Sequence, residues 1–370
     1  MLLRDVGNIK AGTIITPKIL KQLDPNEEIY VRSPITCKAS EGICARCAGA
    51  REKGKLPDIG DNVGMPSAQA LGEKMAQGML SAKHSGGMAG GPSIHGGFDY
   101  LNQLIQVPTN FAGSATIAKA DGRVSGIEEA PQGGHYITID KEKYYVAQDQ
   151  LPTVKVGEEV EAGDIMSNGV GNPADITEHK GIGHGRLYFL KTLYDGFKNS
   201  GITPHRRNVE VLARSLVNHV QVTDPDGYNG FLPDDIVQYD ELRRNWEPRE
   251  GSYESEPKRA INKYLEKDTL QYSIGTRITP KIAQDLYKNR ISKIHVHDNA
   301  PPFKPIMVRA MESAMYDPNW QTRMYGSFLG KGFREAVHRG RESPIHDTSF
   351  VPSMAEGVDF GKKLKTEGKY

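Results

Sequence analysis

Apolar positions along this chain change repeatedly between a period of two and a period near 3.6, which predicts short β-rich units alternating with helices. Residues 5–36 read as a small β unit with one helix. In it, 12–15 form a strand, Thr16 caps a helix with Pro17 at its first position, Ile19, Leu20 and Leu23 give the apolar face, and 28–32 return as a strand. Residues 64–83 are mostly Ala, Leu, Met, Gln, Lys and Glu after Pro66, the composition of a helix. That helix runs into Lys83-His84-Ser85-Gly86-Gly87, with Gly90 and Gly91 close behind. A second short helix with Leu101, Leu104, Ile105 and Val107 returns and stops near Pro108. The two predict a helix–flexible tip–helix hairpin over 64–107.

Residues 113–150 carry β-formers. From Val154, the spacing of Val154, Gly157, Val160, Gly163 and Asp164 is a compact barrel signature shared with biotinyl and lipoyl carriers. Ser167-Asn168-Gly169 stands where a carrier needs its lysine, so the fold is kept and carrier function excluded. Two amphipathic helices follow, 185–198 with Leu187, Leu190, Tyr194 and Phe197 on one face, and 209–220 with Val209, Leu212, Leu216 and Val220. Arg206, Arg207 and Arg214 are expected in solvent. Residues 224–273 read as loop and weak structure. The basic stretch with interleaved aromatics around Lys331, Phe333, Arg334, His338 and Arg339 suits a nucleic-acid contact or a subunit interface, and the last 20 residues look frayed.

One unit recurs. Gly275-Thr276-Arg277-Ile278-Thr279-Pro280-Lys281-Ile282 and Leu286 repeat the pattern of Gly12 to Ile19 and Leu23, and a strand follows in both copies. Only the first copy is followed by cysteines, so the module is structural and metal chemistry is an addition to it.

Whole-chain numbers narrow the class without naming it. Net charge is +1 and 37% of residues are hydrophobic, so any nucleic-acid binding must come from local patches. No apolar run is long enough to span a membrane, and the start lacks the apolar core of a signal peptide. All 3 cysteines fall in one cluster, which argues for a reducing compartment and against a disulfide framework.

Cys37, Cys44 and Cys47 form a C-x6-C-x2-C knuckle flanked by Gly42 and Gly49, half of a zinc ribbon. A structural Zn²⁺ takes four ligands, so another chain supplies the fourth or the site is degenerate. His295 and His297 share one strand face but lack a third ligand, and are read as non-metal.

At this point the residues resemble a family. Val31-Arg32-Ser33-Pro34-Ile35-Thr36-Cys37, Gly42-Ile43-Cys44-Ala45-Arg46-Cys47-Ala48-Gly49, Asn62-Val63-Gly64, Ser67-Ala68-Gln69-Ala70-Leu71-Gly72-Glu73 and His84-Ser85-Gly86-Gly87 occur in the order seen in the C-terminal part of the β′ subunit of multisubunit DNA-dependent RNA polymerase. The resemblance implies that the hairpin is a trigger loop, folding on the incoming nucleotide. His84 would then be the histidine near the triphosphate, acting by position or as an acid. Gln77 would sit near the ribose, Leu80 would pack on the base, and Lys83 would supply the charge of the family's arginine, replaced here by Ser81. Lys74 and Met75 stand where the family has Pro and Gly, leaving hinge motion to Gly72 and the glycines after His84.

The family's fourth zinc cysteine, bridge helix and Mg²⁺-holding aspartate loop have no counterpart here. The implied picture is a split β′ part, inactive alone, belonging to the reduced polymerase of a large bacteriophage in a bacterial host cytoplasm or virion. Mg²⁺ would be held by a partner subunit. The partners implied are the β′ N-terminal part, β parts, DNA template, RNA–DNA hybrid and NTPs, with no membrane. The competing reading is a non-catalytic zinc-ribbon nucleic-acid-binding or scaffold protein of the same fold. The expected architecture is α+β and multi-domain: a zinc-ribbon-like β module (1–60), a trigger-loop helical hairpin (61–112), a β-rich jaw or sandwich-barrel hybrid region (113–180), a helical pair (181–223), a linker with the second β module (224–300) and a helical tail (301–370).

Overall fold

The computed structural model describes residues 1–39, 42–51, 54–84, 98–107, 111, 113–224, 226–228, 230–310, 312–324, 326, 334–335 and 338–340, without the side chains of 77–84, 98 and 99. It divides after Arg309 into two units. The second holds a 3₁₀ turn, Ser313–Tyr316, and a helical stretch at 320–324. The rest of the basic aromatic stretch lies largely outside the described residues.

The first unit begins with α1 (Pro17–Leu20), capped by Thr16 as expected, and α2 (Ala45–Ala48) between Cys44 and Gly49. Next come α3 (Gly64–His84) and α4 (Phe98–Gln106). Asn62 Oδ1 accepts the Met65 N–H at 2.8 Å, so Asn62 caps α3 ahead of Pro66. The tip at 85–97 lies outside the described residues. The two arms rest on different helices rather than on each other, as set out below.

Residues 113–170 form a half-barrel. Its strands β1 (Gly122–Glu129), β2 (His135–Ile139), β3 (Glu142–Val146) and β4 (Glu159–Val160) pair antiparallel in the order β3-β2-β1-β4. Val124, Ile137, Ile139, Val146, Val160 and Met166 fill its interior, which accounts for the alternation read in the sequence. Residues 115–117, at the start of the stretch of β-formers, contribute only the bridge from Ile117 to Ile165.

Two helices then form the spine, α5 (Pro173–Asn199) and α6 (Arg206–Leu216). α5 starts earlier than expected and is broken at Gly181, where φ is 85° and ψ 165°. Its buried stripe is Phe189, Leu193 and Phe197, while Leu187 is 36% exposed. The expected stripe was misaligned because α5 is covered on more than one side, by α4, by α6 and by the last strand of the unit. Val220 lies not on α6 but in β5 (His219–Val222).

Residues 224–273, expected as loop, contain β6 (Ile236–Gln238), α7 (Tyr239–Arg244), β7 (Tyr253–Ser255) and β8 (Tyr264–Leu265). These elements are two to six residues long, too short to show a period, and acidic groups such as Glu266 (0% exposed) are buried by ion pairing instead. After them come α8 (Pro280–Lys288), β9 (Ile294–His297) and β10 (Phe303–Ile306). The sheets are β10-β5-β6 and β7-β9-β8.

The internal repeat holds at the level of backbone hydrogen bonds. Gly12 N–H donates to Leu2 O and Leu2 N–H to Thr13 O, both at 3.0 Å. Gly275 N–H to Leu265 O (2.8 Å) and Leu265 N–H to Thr276 O (3.0 Å) repeat them. Thr279 caps α8 as Thr16 caps α1. In the first copy, however, 12–15 and 28–32 are not strands; Leu2 lies between them, hydrogen-bonded to Gly12 and Thr13 and bridged to Val31.

The break at Gly181 has a steric cause. A Cβ there would lie 2.8 Å from Thr276 Oγ1, in a backbone conformation closed to L side chains. Gly181→Ala is expected to cost about 1–3 kcal/mol, measured by denaturant unfolding. An unchanged midpoint would show that the kink is not required.

Candidate metal centre and the helix beside it

Cys37, Cys44 and Cys47 come together: their sulfurs all lie within 4.8 Å of one another, with Cys37 and Cys47 buried and Cys44 half-buried. Two features of the local chain do this. Gly42, at φ 57°, turns the chain between the first two cysteines, and α2 brings Cys47 back over Cys44, with Cys47 N–H donating to Cys44 O at 3.0 Å. The Cys44 N–H points at Cys37 Sγ, 3.3 Å away, a common arrangement for a sulfur that carries negative charge.

The donor set fits zinc as far as it goes. Three thiolates at Zn–S bonds of about 2.3 Å stand about 3.8 Å apart around a tetrahedron, within the separations seen. Among the described residues no fourth His, Cys, Asp or Glu joins the cluster. The hydrogen bond between the buried Cys37 and Cys47 pulls the Cys37 thiol far down, with the Cys44 N–H adding to this against burial, while that same bond and burial push Cys47 up. Arg32, hydrogen-bonded to the Cys47 sulfur, is raised in turn.

The loop carrying these thiols is held by arginines from outside it. Arg214, expected in solvent, is 4% exposed. One of its nitrogens, Nη1, donates to Pro34 O (3.1 Å) and Cys37 O (2.8 Å), and Nη2 grips both Asp240 oxygens at 3.0 and 3.1 Å. Arg207, also expected in solvent, donates to Cys47 O at 3.0 Å, and Arg243 donates to Ala39 O. The Arg207 guanidinium occupies the space beside Gly49, where a Cβ would lie 1.7 Å from Nη1. Arg206 alone of the three fits the solvated reading, with its side chain 67% exposed.

This cationic bracket is balanced from α7. Asp240 also pairs with Arg243 at 3.1 Å, and Arg243 reaches Asp268 at 3.3 Å. Arg186 of α5 lies fully within the protein beside Arg214. Burial first, and Arg214 next, pull it down to about 10, against Asp240. Sequence reading missed all of this. The available signal was the spacing of Arg207 and Arg214, seven residues apart on α6 and so two turns apart on one face.

The same helix carries α3. Ser67 Oγ donates to Val63 O at 2.8 Å and to Asn208 Oδ1 at 3.4 Å, and Leu71 is 3% exposed. Lys74 Nζ donates to Thr203 O at 2.9 Å, just before α6. The helix passes through Gly72 without interruption. α4 packs instead on α5, with Tyr100 and Leu101 against Gly196. The backbone of Gln77, Leu80, Lys83 and His84 belongs to α3, and their side chains lie outside the described residues. Nothing in the described structure brings those four to the cysteine cluster. His295 and His297 are engaged elsewhere, with Ser252 Oγ at 2.9 Å and Glu250 O at 3.2 Å.

No family model matches the chain. Curated relatives do, and they share one description. They are DNA-directed RNA polymerase β′ subunits. The Tropheryma whipplei protein is 32% identical over 226 residues, which is 59% of this chain and 17% of that protein. The Nocardioides protein is 29% identical over 239 residues, 63% of this chain and 18% of its own length. The Petrotoga mobilis protein matches further, 26% identical over 317 residues, 79% of this chain and 19% of that protein. The chain thus spans about a fifth of the length of the curated relatives it matches. Among the described residues no helix is long and apolar enough to cross a membrane.

Arg214→Met would strip the Pro34 and Cys37 carbonyls of their donor and leave Asp240 with Arg243 alone. The expected cost is about 3 kcal/mol or more, with faster reaction of Cys37 toward a thiol reagent. Unaltered unfolding and unaltered thiol reactivity would show that the bracket is dispensable.

Proposed function

We propose that this chain acts as a C-terminal β′-like part of a multisubunit DNA-directed RNA polymerase, supplying the trigger loop that closes on the incoming NTP. The supporting observation is the conduct of α3. It is anchored at its first half by Ser67, Leu71 and Lys74 against α6, and continues unbroken to His84. A helix held at its base and carrying an imidazole near its end can place that group on a triphosphate and withdraw it. In this reading His84 stabilises or protonates the leaving pyrophosphate, Lys83 adds positive charge, Gln77 meets the ribose and Leu80 packs on the base. The departure at Lys74 acquires a role, because its ammonium ties the helix to Thr203 O where the family has a proline.

Cys37, Cys44 and Cys47 would hold a structural Zn²⁺ with a fourth ligand from another polypeptide. The ion would cross-link the loop. Catalytic Mg²⁺ would be held by a partner subunit, and the remaining β′ and β parts, DNA, the RNA–DNA hybrid and NTPs would complete the assembly. In a polymerase assembled with this chain, His84→Ala is expected to slow single-nucleotide addition at saturating NTP by about 100-fold, followed by rapid quench. A rate equal to the unaltered enzyme's would remove the trigger-loop assignment.

A further inference from the structure

Arg186 is held differently from the arginines that bracket the cysteine loop. It is buried, and its guanidinium bonds only neutral oxygens: Nε donates to Val217 O at 2.8 Å and Nη2 to Asn218 Oδ1 at 2.6 Å. Nη1 has no hydrogen-bond partner among the described residues. The Tyr239 ring centroid lies 5.8 Å from Arg186 Cζ, which offers the cation a π face but no charge.

The acids that act on Arg186 are Asp240 and Asp268, and other groups hold both. Asp240 pairs with Arg214 and Arg243. Asp268 Oδ1 accepts from the Tyr239 hydroxyl and from the Ile274 N–H at 3.0 Å, and Oδ2 accepts from Arg243 at 3.3 Å. The guanidiniums of Arg186, Arg214 and Arg243 thus share the carboxylates of Asp240 and Asp268, and Arg186 is the one left with neutral partners. Even pulled down to about 10, it keeps its charge at neutral pH. A buried charge is costly unless an opposite charge meets it.

A cavity of about 20 Å³ opens at this point, lined by Arg186, Arg243, Lys38, Tyr239, Asp268 and Ser273 among others. Lys38 makes no ion pair among the described residues. The cavity admits one water-sized group, which excludes a phosphate or sulfate from its interior. A water there would accept a hydrogen bond and leave the charge unbalanced. A monatomic anion supplies both acceptor and charge.

Independently of the trigger-loop reading, we propose that this cavity binds a single halide ion, chloride in solution, against Arg186, with Arg243 and Lys38 on its walls. The ion balances the third guanidinium. It also joins the cysteine loop at Lys38 to α5 at Arg186 and α7 at Arg243.

Urea unfolding of the full chain, with gluconate replaced stepwise by chloride at constant ionic strength, tests this. The folding equilibrium is expected to rise in a saturable way, by about tenfold when chloride reaches ten times its dissociation constant. Arg186→Met is expected to lose that dependence whatever its own stability. No chloride effect, a rise that does not saturate, or one that Arg186→Met retains overturns the proposal. Should Arg186→Met fail to fold, crystals of the unaltered chain grown in bromide decide. An anomalous peak within hydrogen-bond reach of Arg186 Nη1 supports the site. Water in the cavity, or bromide at the surface only, overturns it.

Discussion

The interaction on which most of the described architecture leans is the Arg214 guanidinium. It is buried, and a buried cation is tolerated only when every face is paired. Here it is: two backbone carbonyls of the cysteine loop on one side, both oxygens of Asp240 on the other. The pairing ties three distant stretches together, the loop at 34–37, α6 and α7. The loop brings few apolar groups, Ile35 and the thiols among them, so hydrophobic burial alone fixes it weakly. Hydrogen bonds from Arg207, Arg214 and Arg243 to four of its carbonyls set its position, and they are stronger for being charge-assisted.

Two charged clusters among the described residues solve the same problem by different means. Around the cysteines, arginines converge on carbonyls and are offset by acids on α7. In the second module, Glu266 at 0% exposure is gripped by Arg249, whose Nε and Nη2 both reach Oε1 at 2.9 and 2.7 Å, while Trp246 Nε1 and the Arg249 N–H bond Oε2. In each case a planar guanidinium spans elements too short to bury much surface of their own. The half-barrel needs no such device inside, because Val124, Ile137, Ile139, Val146 and Met166 suffice.

That contrast explains what the sequence made legible. Long periodic segments were read correctly in kind: α3, α4, α6 and the half-barrel strands β2 and β3 follow from their patterns, and the Thr-Pro starts of α1 and α8 are capped as their residue types require. The cysteine knuckle was legible because C-x2-C spacing is local. The arginine bracket was not, since a buried arginine and a solvated one look alike until their partners are placed. Residues 224–273 were misread for the same reason, their order resting on ion pairs between short elements rather than on a period. The reading of a strand after the capped helix was sound in the second copy, as β9, and failed at 28–32 in the first, while 12–15 and its counterpart 275–278 are strands in neither copy.

α6 fixes a length as well as a position. Arg207 and Arg214 reach the Cys47 and Cys37 carbonyls from points seven residues apart, about 10.5 Å along a helix axis. Asn208, one residue after Arg207, meets Ser67 of α3. Inserting or deleting a single residue between the two arginines would turn one of them by about 100° around the axis, swinging it off its carbonyl while the other stayed in place. The helix is therefore a gauge of fixed pitch: its side chains can be exchanged at exposed positions such as Ser215, but its residue count cannot change without breaking one of the two grips.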